Sequence, residues 1–95
     1  NISLVFRAVT NPPSLGEVDI RRVTNTTNFI TSIMSTANVN ATLLGWQNNF
    51  DWSVIPSVTA TYDFFNSKYS NNPAVIAAKA FLESKGITFT RLTMA

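Results

Sequence analysis

The chain has 95 residues, 45% of them apolar and 13% charged, so it can build one domain with a modest core, its solubility resting on the Asn, Thr and Ser that make up about a third of the sequence. A net charge of +2 is spread over Arg7, Arg21, Arg22, Lys68, Lys79, Lys85 and Arg91, too small and too scattered to track a phosphate backbone, which argues against nucleic acid. The absence of Cys and His removes disulfides, thiolate metal sites and the commonest general base, and no apolar run approaches the length that spans a membrane.

In chain order, residues 3–9 alternate Leu4, Phe6 and Ala8 with Ser3, Val5, Arg7 and Val9, the period of a strand. Pro12 and Pro13 end it, because two fixed φ angles and two missing donors suit a connector. A second strand is predicted over 17–23, with Val18 and Ile20 on one face and Glu17, Asp19 and Arg21 on the other. Phe29, Ile30, Ile33 and Met34 form one stripe of a short helix within 27–34. A second helix opens at Val39, capped by Ser35 or Thr36, with Val39, Leu43 and Trp46 on one side and Gly45 weakening it.

Residues 48–56 have no period and read as a loop that carries Phe50 and Trp52 back onto the body. Val58, Ala60, Tyr62 and Phe64 alternate with Thr59, Thr61 and Asp63 in a third strand. Asn72 followed by Pro73 marks a helix start, Val75, Ala78, Phe81 and Leu82 its buried face, and Gly86 its stop. A last strand covers 87–92, with Ile87, Phe89 and Arg91 facing one way and Thr88, Thr90 and Leu92 the other. The predicted core is Leu4, Phe6, Val18, Ile20, Phe29, Ile33, Leu43, Trp46, Tyr62, Val75, Phe81, Leu82 and Phe89.

Phe6-Arg7-Ala8-Val9-Thr10-Asn11 and Ile20-Arg21-Arg22-Val23-Thr24-Asn25 are versions of one string, each closing a strand with Val-Thr-Asn. Downstream come Ser35-Thr36-Ala37-Asn38, then Leu43-Leu44-Gly45-Trp46, then Lys68-Tyr69-Ser70 and an Ala-rich helix before the closing strand. In this order the segments from about Leu15 to Thr90 resemble the C-terminal end of BspA-type leucine-rich-repeat surface proteins, whose like also occurs in phage structural proteins. Leu15-Gly16-Glu17-Val18-Asp19-Ile20-Arg21-Arg22-Val23-Thr24-Asn25 fills the family's repeat frame. The resemblance implies a non-catalytic scaffold in which each strand joins a parallel sheet with helices or turns behind it.

Candidate chemistry is sparse. Glu17 and Asp19 share a strand face, as the two carboxylates of a glycosidase do, but they are read as solvated charges balanced by Arg7 and Arg21. Asp19 and Asp63 lack the Asp- and Gly-rich loop of a calcium site, so no metal and no cofactor is expected. Of the aromatic residues that could stack on a sugar, Trp46 and Tyr62 read as core, and Trp52, between Asp51 and Ser53, is the surface candidate. The sequons at Asn1, Asn25 and Asn40 bear on function only in a secreted eukaryotic chain. Asn1 in place of an initiating Met is read as the start of a processed product or of a piece of something longer.

The sequence therefore predicts an α/β fold: a short leucine-rich-repeat-like solenoid end, a small parallel sheet backed by short helices, with a C-terminal capping helix and strand. Residues 1–95 form a single domain, with repeat strands and a short helix in 1–34 and the cap region in 35–95. The expected function is a non-catalytic binding or adhesion module, extracellular, on a cell surface or on a virion, whose partner is a protein or glycan and neither nucleic acid nor membrane. The alternative is a structural subunit of a virion, such as a phage tail or fibre, or of an extracellular assembly. The expected contact residues are Arg7, Glu17, Asp19, Arg21 and Asp63 on the strand face, with Arg21 as anchor beside Asp19, and Trp52 in the loop. Self-association through the edges of the first and last strands is expected as well.

Overall fold

Helix α1 (Thr36–Asn48) begins where Ser35 leaves the chain extended and its side chain accepts the Asn38 N–H at 3.3 Å, satisfying one of the donors that a first turn leaves unpaired. The structure is a computed structural model that describes residues 14, 16, 30, 32–55 and 58–95. The expected strands at 3–9 and 17–23, and the core positions Leu4, Phe6, Val18, Ile20 and Phe29, lie outside these residues. Val39, Thr42, Leu43 and Trp46 are the buried face of α1, at the spacing of one helical stripe. The Thr42 hydroxyl is accommodated there because it donates to the Asn38 carbonyl at 2.8 Å.

Strand β1 (Ala60–Tyr69), helix α2 (Pro73–Ser84) and strand β2 (Ile87–Met94) make a β-α-β unit, the two strands pairing in parallel. A parallel pair needs a crossover, and the 12 residues of α2 supply it. Asn72 caps α2 through a 2.8 Å bond from the Ala74 N–H, and Pro73 fills the first position, where a missing donor does no harm. Gly86 turns the chain into β2 at φ +103, and a Cβ there would lie 2.9 Å from the Val58 carbonyl oxygen. The Val58 N–H in turn bonds the Lys85 carbonyl at 2.8 Å. The helix end and the entry to β1 are thereby tied together.

Among the described residues this is a small α/β domain of two helices and a two-stranded parallel sheet. Its core gathers Val39, Leu43 and Trp46 from α1, Tyr62 and Phe64 from β1, Val75, Ala78 and Leu82 from α2, Ile87 and Leu92 from β2, together with Ile30, Met34, Trp52 and Val58. Phe81 and Phe89, predicted as core, are partly buried and pack against it. The short helix predicted within 27–34 does not include its last residues: 32–34 are non-helical and Ile30 pairs as a single-residue bridge. Outside a helix, neighbouring side chains part company. Met34 enters the core, its N–H bonding Ser67 Oγ at 2.8 Å, and Ile33 is turned out with 59% of its surface exposed.

Gly45, which weakens α1 by propensity, has a packing role. A Cβ on it would lie 2.5 Å from Gly16 Cα, and a Cβ on Gly16 would lie 2.6 Å from the Ala41 carbonyl oxygen, so only a pair of glycines lets this turn lie on the helix. Asn49 Nδ2 holds it there by donating to the Gly16 carbonyl at 2.9 Å. Gly45→Ala should lower stability even though alanine is better in a helix by about 1 kcal/mol. A urea melt in which this variant is more stable than the parent would disprove the contact. Trp46→Ala, which empties a wholly buried site, should cost about 3–5 kcal/mol in the same experiment.

Candidate functional site

The two strands divide their side chains between a buried and an open face. Tyr62 and Phe64 enter the core from β1, and Thr61 and Asp63 turn outward; in β2, Ile87 is buried and Thr88 and Thr90 are exposed. The parallel register sets Thr61 beside Thr88 and Asp63 beside Thr90, and further along, Lys68 beside Thr93, where Lys68 Nζ donates to Thr93 Oγ1 at 3.4 Å. The outer face is thus a row of short hydroxyls with one acid and one ammonium.

Between these paired stretches the ladder is irregular. Asp63 pairs with Thr90 and Ser67 with Leu92, so β1 uses four steps where β2 uses two, the count of a bulge with two additional residues. Phe65 and Asn66 on β1, and Arg91 on β2, adopt φ of 53, 67 and 49, a left-handed conformation uncommon for residues with a side chain. At Arg91 this shifts the alternation by one position. The sequence pattern put Arg91 with Ile87 and Phe89 and turned Leu92 away; in the structure Leu92 is buried and Arg91 is exposed.

Turned outward, Arg91 reaches Asp63. Its Nε donates to Asp63 Oδ1 at 2.8 Å and its Nη2 to Asp63 Oδ2 at 2.5 Å, a two-pronged pair whose guanidinium also lies 4.8 Å over the Phe65 ring. Asp63 Oδ1 accepts the Phe65 N–H as well, at 3.0 Å. The Arg91 hydrogen bonds are the main reason the Asp63 carboxyl is held below its ordinary pKa; the Phe65 amide and the Arg91 charge add to this, and partial burial opposes it. Three side chains from two strands are thereby ordered on an otherwise hydroxylic surface.

Of the residues expected from the sequence to make contact, Arg7, Glu17, Asp19 and Arg21 lie outside the described residues. Asp63 is on the open face as expected, and it is joined there by Arg91, which the strand pattern hid. No sequence signal short of the register and the bulge connects two residues 28 positions apart. Trp52 is a correction. It is 7% exposed, its indole N–H donates to the Trp46 carbonyl at 2.9 Å, and its ring meets Phe81 edge-on at 5.8 Å and Phe50 at 6.4 Å. An indole with its polar end bonded and its ring enclosed belongs to the core, so it offers no stacking surface. Trp46 and Tyr62 are wholly buried as the sequence predicts, and burial pushes the Tyr62 phenol above its ordinary pKa.

The side chain of Asn40, in one of the three sequons, is occupied. Its Nδ2 donates to Ser70 Oγ and its Oδ1 accepts the Ser70 N–H, both at 3.0 Å, which clasps α1 to the turn after β1. Among the described residues no group of three or more acidic side chains is placed to hold a metal ion, and no helix is long and apolar enough to cross a membrane. No protein-family model matches the chain, and comparisons with curated proteins and with solved structures give no match.

The Asp63–Arg91 pair makes a prediction about acid. A carboxyl whose folded pKa lies below its unfolded value, about 3.9, stabilises the fold fully above that value, and the contribution is lost as pH falls through the lower folded pKa. Asp51, lowered chiefly by the Ser53 hydroxyl and also by the Ser53 N–H, acts in the same direction. The informative comparison is therefore between parent and Asp63→Asn. The parent should lose more stability than the variant between pH 7 and pH ~3, measured by urea midpoints. Superimposable pH profiles would show that the pair does not form in solution.

Proposed function

We propose that this chain is the C-terminal end of a leucine-rich-repeat array of the BspA type, acting as a non-catalytic module that binds a protein or glycan on a cell or virion surface. The observation that carries the reading is the two-sided sheet: apolar side chains on the face toward the helices, and Thr61, Asp63, Thr88, Thr90, Arg91, Thr93 and Lys68 on the other. A parallel β-α-β unit with a hydroxylic outer face suits the last repeat of a solenoid, where neighbouring repeats continue the sheet and its open surface becomes the recognition area.

The strings that carry the family resemblance have local work consistent with this role. Leu43 and Trp46 fill the core, Gly45 lets the Gly16 turn approach, and Ser70 closes the clasp on Asn40. Short hydroxyls and a neutralised ion pair can exchange hydrogen bonds with a sugar or a polar peptide without a large desolvation penalty. On this reading the partner binds this surface, outside the cell or on a virion.

The test applies fluorescently labelled protein to a glycan array and to a panel of cell surfaces, followed by titration of the best ligand. Replacing Asp63, Lys68 and Arg91 together by Ala should weaken that titration about tenfold or more and leave a folded domain. Binding that the triple variant keeps in full would remove this face as the contact surface. Absence of binding on every surface would remove the adhesion reading itself.

A further inference from the structure

We infer that the kink shared by β1 and β2 is a stop: it prevents the edge of β2 from accepting another strand and so ends the sheet at this strand. The stop does not depend on the adhesion reading. An edge strand of eight residues ordinarily presents a row of N–H and C=O groups on which a second chain can pair. Among the described residues β2 has β1 as its single strand neighbour.

In a regular strand both the side chains and the sideways-pointing backbone groups repeat every two residues, so residues an even number of steps apart share a face and an edge. Ile87 and Leu92 are both buried, although they stand an odd number of steps apart. The phase of β2 therefore slips by one between them, and the slip is located at Arg91, where φ is 49. The stretches Ile87 to Thr90 and Leu92 to Met94 offer their outward hydrogen-bonding groups in opposite phase. A straight incoming strand can match one stretch or the other and never both.

β1 carries the complementary slip, since Phe64 and Ser67 are both buried at an odd separation with Phe65 and Asn66 left-handed between them. The two kinks lie side by side and are held by the Asp63–Arg91 pair, by the bond from the Phe65 N–H to Asp63 and by the stacking of Arg91 on Phe65. Side-chain contacts across the strands thus maintain a backbone state that isolated residues of these types avoid. Beyond the kink, the chain's last amide, that of Ala95, bonds the Tyr69 carbonyl at 2.8 Å, which keeps the end of β2 on β1. The self-association expected from the sequence is left to edges other than that of β2.

The experiment compares the parent with two variants by sedimentation at increasing concentration and by hydrogen exchange of the Ile87–Met94 amides. Deleting Arg91 removes the slip from β2 and should give a folded protein that associates, with those amides gaining protection. Arg91→Gly keeps a residue at ease in the left-handed conformation and removes the ion pair together with the stacking on Phe65. It should therefore behave as the parent, without association through this strand. A synthetic peptide copying residues 87–94, added to parent and to Arg91→Gly, should bind neither and leave amide exchange unchanged. Association of the parent that protects the β2 amides, binding of the peptide to the parent, or a folded deletion variant that stays unassociated would each overturn the inference. If the deletion variant does not fold, the peptide titration decides: binding refutes the stop, and its absence at millimolar peptide upholds it.

Discussion

Trp46 lies on α1 with no exposed surface, its indole 4.8 Å from the Tyr62 ring and 6.3 Å from that of Phe64, and its carbonyl accepts the Trp52 indole N–H. One residue is thus held by the sheet through its side chain and by the following loop through its backbone. Trp52 in turn meets Phe81 of α2 edge-on, so the line from β1 through Trp46 and Trp52 reaches the second helix. Because aromatic rings of this size have few orientations in a close-packed interior, the placement of α1, loop and α2 is coupled. The bond from Trp52 also satisfies one of the carbonyls that the last turn of α1 leaves without a helical partner. The face opposite this cluster is ordered because the cluster fixes which side chains of β1 must point inward.

The same requirement explains the irregular middle of the sheet. Tyr62, Phe64 and Ser67 on β1, and Ile87 and Leu92 on β2, all point inward, and no pair of regular strands can satisfy those positions at once. The conflict is resolved by two additional residues in β1 and a left-handed Arg91 in β2. Ser67, brought inward, supplies the hydroxyl that receives the Met34 N–H, so a polar residue in the core has a defined partner. On the outside the same adjustment brings a cation, an anion and an aromatic ring together.

The elements with local chemical signals were legible in the sequence. Ser35, Asn72, Pro73 and Gly86 mark helix ends by capping chemistry that depends on a few adjacent residues, and the structure caps α1 at Ser35 and opens it at Thr36, three residues ahead of the expected Val39, starts α2 at Pro73 and turns the chain at Gly86. What escaped was whatever depends on a distant partner. Ile33 and Met34 fit a helical stripe, and their fates are decided by Ser67, 33 positions from Met34. Trp52 looks exposed between Asp51 and Ser53, and a carbonyl six residues back with a ring on α2 encloses it. Gly45 reads as a defect until Gly16 is seen against it. Arg91 follows a strand alternation that its own left-handed backbone, opposite a bulge on the other strand, interrupts. In each case the local pattern was sound and a tertiary contact overrode it.

The charge pattern of the open face sets the kind of recognition it can support. Among the described residues of this face, Asp63 and Arg91 neutralise one another at hydrogen-bonding distance, leaving Lys68 as the unbalanced charge beside neighbouring threonines. A face of this kind projects little field beyond a Debye length, so it cannot draw a partner from afar as strongly charged clefts do. In the binding role proposed above, selection there would come from short-range, directional bonds. Threonine suits that task, since its β-branched side chain is nearly rigid on a strand and loses little freedom when its hydroxyl is engaged. The guanidinium is already oriented by Asp63 and Phe65, so it would need no further ordering on contact. A low share of charged residues, which first appears as a property of composition, would make any contact through this surface geometric and only weakly dependent on salt.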